Sequence, residues 1–101
     1  MKVRFSKDFE KSVRKLSGKL LVSVRRTIQE VVDASKLEEI SDCKKLTGYE
    51  NVYRLRIGSL RAFFTFHIEI IDDFVFFRYL FSRGEAYDKK NEERLRNADQ
   101  E

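Results

Sequence analysis

Hydrophobic positions along this chain change their period once, near residue 51. Before it, past a short alternating start, they recur mostly every three to four residues; after it they alternate. Lys2 to Phe5 alternates and reads as a short strand, with Val3 and Phe5 on one face. Ser6 stands where a helix N-cap belongs. Asp8 and Glu10 follow in the first turn, where negative charge suits the helix dipole. Phe9, Val13 and Leu16 then fall at helical spacing, and Ser17-Gly18 ends that helix. Leu21, Val24, Ile28, Val31 and Val32 form a second stripe over about residues 19–34. Lys19, Arg25, Arg26, Glu30 and Asp33 lie mostly outside it and read as a solvated face. Two amphipathic helices joined at a glycine need a sheet to cover. Residues 36–45 are mixed; Leu37 and Ile40 anchor a short helical turn.

From Asn51 the period is two through Phe81. Gly58-Ser59 matches a two-residue hairpin turn with glycine first. Asp72-Asp73 marks a second reversal with weaker turn chemistry. The pattern predicts three antiparallel strands at about residues 51–57, 60–71 and 74–82. A loop at 58–59 sets Ile57 opposite Leu60, Arg56 opposite Arg61, Leu55 opposite Ala62 and Arg54 opposite Phe63. A loop at 72–73 sets His67 opposite Arg78, Phe66 opposite Tyr79 and Phe63 opposite Ser82. One face then carries Tyr53, Leu55, Ile57, Ala62, Phe64, Phe66, Ile68, Ile70, Val75, Phe77, Tyr79 and Phe81, a core face for the helices. The other carries Arg54, Arg56, Arg61, Phe63, Thr65, His67, Arg78 and Ser82. A slip of one residue would bury the arginines, so register is strongly specified. Residues 88–101 hold Leu95 as their one large apolar residue and are expected to be a frayed helix or a disordered tail. The expectation is an α+β domain over residues 1–87, in the order β-α-α-β-β-β, followed by a charged C-terminal tail.

Composition adds three constraints. A chain of 101 residues, 42% hydrophobic with nine Phe, suits one packed domain. Net charge is +4; residues 88–101 hold five acids and four bases, so the preceding residues carry +5 and favour an anionic partner. Cys43 is the one cysteine, which allows no internal disulfide and does not suffice for a thiolate metal cluster. It reads as a small filler. No stretch approaches the ~20 apolar residues of a membrane span. A reducing, cytoplasmic setting is expected, with no metal and no cofactor.

The candidate chemistry lies on the arginine face. Arg56 opposite Arg61 is a like-charge cross-strand pair, which destabilises a sheet. Glu69, the acid nearest to this face, is near its far end. From Leu46 to Asp88 every Lys/Arg cation is Arg. Guanidinium binds phosphate bidentately and stays charged at any working pH. Phe63 lies among the arginines, and Tyr87 follows Arg83 just past the last strand. Arginines with aromatic faces suit single-stranded nucleic acid. His67, the one histidine, falls beside Arg78, which disfavours its charged form. No acid–His or Cys–His pair and no phosphate-cradling glycine loop is present.

These residues carry a resemblance. KKLTGYENVYRLRIGSLRAFF, residues 44–64, resembles the RelE/ParE superfamily of bacterial type II toxins in its K-L-x-G, aromatic, Y-R-x-R-x-G-x-x-R pattern. FFRYLFSRGEAY resembles that family's closing strand. The resemblance spans about residues 1–87. It implies a twisted antiparallel sheet packed on a helical hairpin. It implies a metal-independent, ribosome-dependent endoribonuclease that cuts mRNA and inhibits translation, neutralised by a cognate antitoxin. By position, Arg54, Arg56, Arg61, Arg78 and Arg83 match basic residues of the family, and Tyr87 matches its closing aromatic. The implied catalytic set is Arg56, Arg61, Arg78, Arg83 and Tyr87, with Arg54 and Phe63 binding RNA. Several relatives carry His where this chain has Ser82, and others Lys at Arg54 and Arg56. Arginine is a poor proton acceptor, so the general base is unassigned among Glu39, Asp42, Glu50 and groups of the ribosome. Two alternatives stay open: a ParE-like inhibitor that binds DNA gyrase without catalysis, and a degenerate RNA-binding homologue.

Overall fold

A computed structural model describes residues 1–101. The elements follow the order β1 (Lys2–Phe5), α1 (Lys7–Arg14), α2 (Gly18–Asp33), a single 3-10 turn (Leu37–Glu39), β2 (Cys43–Lys45), β3 (Val52–Ile57), β4 (Leu60–His67), β5 (Phe74–Ser82) and α3 (Lys89–Asp99). The strands form one sheet in the order β1-β5-β4-β3-β2. β1 runs parallel to β5 and the other pairs are antiparallel, so the sheet is mixed.

Ser6 caps α1 as expected. Its hydroxyl accepts from Phe9 N at 3.0 Å and donates to the Arg78 carbonyl at 2.6 Å, which pins the helix start to β5. Phe9 from α1 and Val24 and Val31 from α2 are buried against Leu55, Ile57, Ala62, Phe64, Val75, Phe77 and Leu80. The α2 stripe is narrower than the apolar pattern suggested, because Val32 is exposed. β2 is a short edge strand that the mixed composition of residues 36–45 concealed.

The β3–β4 hairpin has the expected register throughout: Arg54↔Phe63, Leu55↔Ala62, Arg56↔Arg61 and Ile57↔Leu60. Gly58 holds φ +57, the left-handed region that its turn position requires. The β4–β5 register differs from expectation. His67 pairs with Phe74, not Arg78, and residues 68–73 form a loop in place of a two-residue turn. Asp73 stabilises this loop by accepting from Glu69 N at 3.1 Å. Ile68, Ile70 and Ile71 are exposed there, not on a core face.

A β-bulge opposite Phe63 and Phe64 completes the difference. Phe64 pairs with Phe77 and Phe63 with Tyr79, so Arg78 is the extra residue of β5. Before the bulge Val75 and Phe77 join the helical core; after it Leu80 does. Tyr79 and Phe81, expected in that core, therefore belong to the opposite face. There Val52, Phe63, Phe81, Ala86 and Leu95 form a second core, with Leu46, Tyr49 and Tyr79 against it.

α3 covers that second core, so the expectation of a frayed or disordered tail does not hold. Asp88 caps the helix by accepting from Asn91 N at 2.8 Å. Leu95 and Ala98 are buried. Polar interactions do much of the anchoring: the Asp99 carboxylate accepts from Glu50 N and Asn51 N, and Arg96 donates to the Gly48 carbonyl at 2.9 Å. The fold is thus three layers, α1 and α2, the sheet, and α3.

Candidate functional site

The hairpin end left open beside α3 carries the arginines. Arg61 is only 7% exposed. Its Nη1 donates to the carbonyls of Gly58 at 2.7 Å and Leu60 at 2.8 Å, which fixes the guanidinium over the turn. Burial pushes its pKa down, and Arg56, Arg83 and Arg54 add to the effect, with Tyr87 opposing. Arginine stays charged through such a shift, so a desolvated cation stands here among like charges. The chain's two ion pairs, Arg14–Glu10 and Arg78–Glu101, both lie outside this cluster.

Three other arginines converge on Arg61, two from β3 and one from the loop after β5. Arg56 faces it across the hairpin and is exposed. Arg83 follows β5; its backbone N–H donates to the Ser59 carbonyl at 2.8 Å, tying the loop after β5 to the hairpin turn. Arg54 is half-buried, and its Nε is buried with no hydrogen-bond partner. Tyr87 is 55% exposed and meets Phe63 edge-on, with ring centroids 6.2 Å apart. Buried Ala86 holds the Tyr87 backbone in place, its N–H donating to the Ser82 carbonyl at 3.0 Å.

Two residues expected in the site stand elsewhere. Phe63 is fully buried in the second core, so no base can stack on it; it backs Tyr87 instead. Arg78 sits at the bulge, away from the hairpin turn. Its Nε donates to Thr65 Oγ1 at 3.1 Å, its guanidinium covers the Phe76 ring at 4.1 Å, and Glu101 pairs with it. The β4–β5 register accounts for this: Arg61 pairs with Phe81, leaving Arg78 beside Thr65.

Proton-transfer candidates are scarce. His67 lies near the end of β4 remote from the turn, stacked on Phe74 at 4.7 Å, and burial, then Arg78, lowers its pKa. Glu39 accepts from Ser35 N, and Glu50 lies beside the C-terminal end of α3. Asp42 is the one of the three acids whose backbone touches the hairpin, its carbonyl accepting from Arg56 N at 3.2 Å. Burial pushes the Cys43 thiol up to about 11, so it is no nucleophile at neutral pH. Lys44, which sequence reasoning left out of the site, pairs with Arg54 across β2 and β3 and extends the basic surface. Its signal lay within the basic motif, but without β2 it had no register.

The fold and the cluster define a small α+β protein with an uncompensated guanidinium set at a hairpin end. No protein-family model matches the sequence. The chain is 34% identical over 89 residues to Toxin RelE3 of Methanocaldococcus jannaschii, covering 87% of this chain and 97% of that protein. Its fold matches the RelB-RelE antitoxin-toxin complex from Methanococcus jannaschii at TM-score 0.67 and 27% identity, covering 84% of this chain and 95% of that one. It matches the isolated E. coli RelE toxin at TM-score 0.65 and 17% identity over 95% of this chain and 96% of that one, a likeness of fold. The chain belongs to the RelE family of toxins of toxin–antitoxin systems.

Proposed function

We propose that this toxin cleaves mRNA on the ribosome, without a metal, through the Arg61 cluster, and that a cognate antitoxin neutralises it. The observation that carries the reading is a nearly buried Arg61 beside Arg54, Arg56 and Arg83 with no acid paired to any of them. Such a cluster is costly in the empty protein and favourable around a dianionic phosphorane. In the reaction the ribose 2′-oxygen bonds to the adjacent phosphorus and the P–O5′ bond breaks. A 2′,3′-cyclic phosphate and a 5′-hydroxyl result. Arg61 and Arg56 hold the non-bridging oxygens and stabilise the charge that develops on them. Arg83 neutralises the leaving oxygen, and the Tyr87 phenol is placed to protonate it or to stack on a base. The guanidinium groups accept no proton. The 2′-hydroxyl proton passes to solvent or to a group of the ribosome, and positioning supplies much of the acceleration.

The antitoxin reading is supported by RelE relatives solved as RelB-RelE complexes. The charge of +5 on residues 1–87 calls for an acidic antitoxin segment. Pull-down with the neighbouring gene product checks this; no binding to that product would remove it. The cleavage reading is tested in a translation extract by mapping mRNA 5′ ends, beside a gyrase supercoiling assay. Codon-phased cuts that vanish in Arg61→Ala are expected. Inhibited supercoiling with intact mRNA would overturn the reading in favour of gyrase binding, and silence in both assays would leave a degenerate homologue.

A further inference from the structure

The arginine cluster does not end at Arg54. Beyond it, between the β2–β3 connection and α3, runs a groove of about 350 Å³ that shares Arg54 and Tyr87 with the cluster. Its charge is one-sided: Lys44, Arg54 and Arg96 line it against a single carboxylate, Glu92, while Lys45, also at its edge, pairs with Tyr53 and so turns to the α1–α2 side of the sheet. Lys44 is exposed and takes part in no ion pair. Arg96 is held in place by the Gly48 carbonyl and by the Tyr49 ring, 4.3 Å below its guanidinium, so its charge is fixed at the groove wall. The buried Arg54 Nε has no acceptor in the protein. A buried N–H of a cation without an acceptor is unfavourable, and an anion beside this guanidinium offsets the cost of its charge.

Resting on the cleavage reading above, we infer that this groove is a subsite for the nucleotide flanking the scissile phosphate. The strand passes from the Arg61 cluster across the exposed Tyr87 ring, and the next phosphate is held by Arg54 and Lys44, cross-strand partners on one face. The size of the groove fits one nucleotide, and its wall is α3 itself, so the C-terminal helix contributes directly to RNA binding. The interactions are with phosphate and with an aromatic face, which every nucleotide can satisfy. The subsite therefore sets affinity and register of the strand, not base identity.

The test uses the full chain and a labelled tetranucleotide RNA with 2′-methoxy groups, which cannot be cut, followed by fluorescence anisotropy over a salt series. Lys44→Ala is expected to weaken binding several-fold at low salt and to make the salt slope shallower by about 0.7, the share of one phosphate no longer neutralised. A control with the same charge change on α1, Lys7→Ala, is expected to bind nearly as the wild type does. Equal weakening in both variants, or none in either, would overturn the subsite. Loss of antitoxin binding with RNA binding intact would also overturn it and assign the groove to protein. Cleavage mapping separates the two readings. A wild type that binds the RNA through Lys44 yet leaves mRNA whole retains the subsite and loses the nuclease; a wild type that cuts mRNA with Lys44 dispensable does the reverse.

Discussion

Arg61 and Arg78 share one face of the sheet and differ in almost everything else. Arg78 is saturated: Thr65 accepts from it, Phe76 lies beneath it and Glu101 neutralises it. Arg61 is fixed by two backbone carbonyls through one nitrogen, and the groups around it are further arginines. Both side chains are held in place, but only Arg61 keeps its charge uncompensated. A basic residue on the correct face is therefore not yet a site. What separates a structural arginine from a binding one here is whether the fold supplies the counter-charge or leaves it to a ligand.

The comparison is broken most severely by truncation. Arg61→Ala should lower mRNA cleavage by about a hundred- to a thousandfold, the range for removing one transition-state donor, whereas Arg78→Ala should stay within about tenfold. Timed 5′-end mapping in a translation extract measures both, and equal losses would erase the distinction. Arg61→Lys should not support wild-type activity, because an ammonium is a single nitrogen and cannot stand both where Nη1 holds the two carbonyls and where Nη2 and Nε are left for a phosphate.

Removing the layer that carries the second core is next. Leu95→Ala should cost about 2–5 kcal/mol of stability, read as a lowered urea midpoint. A cost well under 1 kcal/mol would mean that α3 is not docked in solution. Giving Arg61 the partner that Arg78 has sharpens the contrast. Ser59→Glu, in the exposed turn, should reduce RNA affinity several-fold with little change in the urea midpoint. The reciprocal change, Glu101→Gln, should alter stability by no more than ~1 kcal/mol, as for exposed ion pairs, and should leave cleavage unchanged. A gain in cleavage would show that Arg78 acts once freed.

The smallest effect concerns His67. Thr65 Oγ1 accepts from Arg78 Nε and lies 2.8 Å from His67 Nε2, with its own O–H free to donate to that nitrogen. The folded pKa lies below the ordinary value of about 6.5. The unfolded chain then takes up the proton first, and stability should fall as pH drops through that value toward the folded one. His67→Phe should flatten this dependence between pH 7.5 and 5.5 in urea titrations; an unchanged slope would assign it to other groups.

The sequence made some parts of this molecule legible and hid others for identifiable reasons. The β3–β4 hairpin could be read pair by pair because Gly58-Ser59 fixes a two-residue turn and the apolar alternation leaves one register. The Arg54, Arg56 and Arg61 placement came with it. The β4–β5 pairing could not, because Ile68, Ile70 and Ile71 prolong the strand pattern into what is a loop, closed by a single Asp73 hydrogen bond. α3 was hidden by composition: Leu95 is its one large apolar side chain, and much of its docking rests on Asp99, Arg96 and Asn91 bonding backbone groups of other segments. Polar docking of this kind has no hydrophobic periodicity to detect.

The bulge at Arg78 also limits which insertions and deletions this chain tolerates. It works as a one-residue phase shift inside β5, letting a single strand serve two cores of opposite side. Deleting Arg78 would restore strict alternation with Tyr79 and Phe81 still toward α3, whereas adding one residue after Tyr79 would turn Phe81 toward α1 and α2 and take part of the floor from under α3. Length changes in the loop at residues 68–73 shift no side chain from one face to the other. Two neighbouring segments of similar hydrophobicity thus differ sharply in how far they tolerate a change of length, and the difference turns on one extra residue.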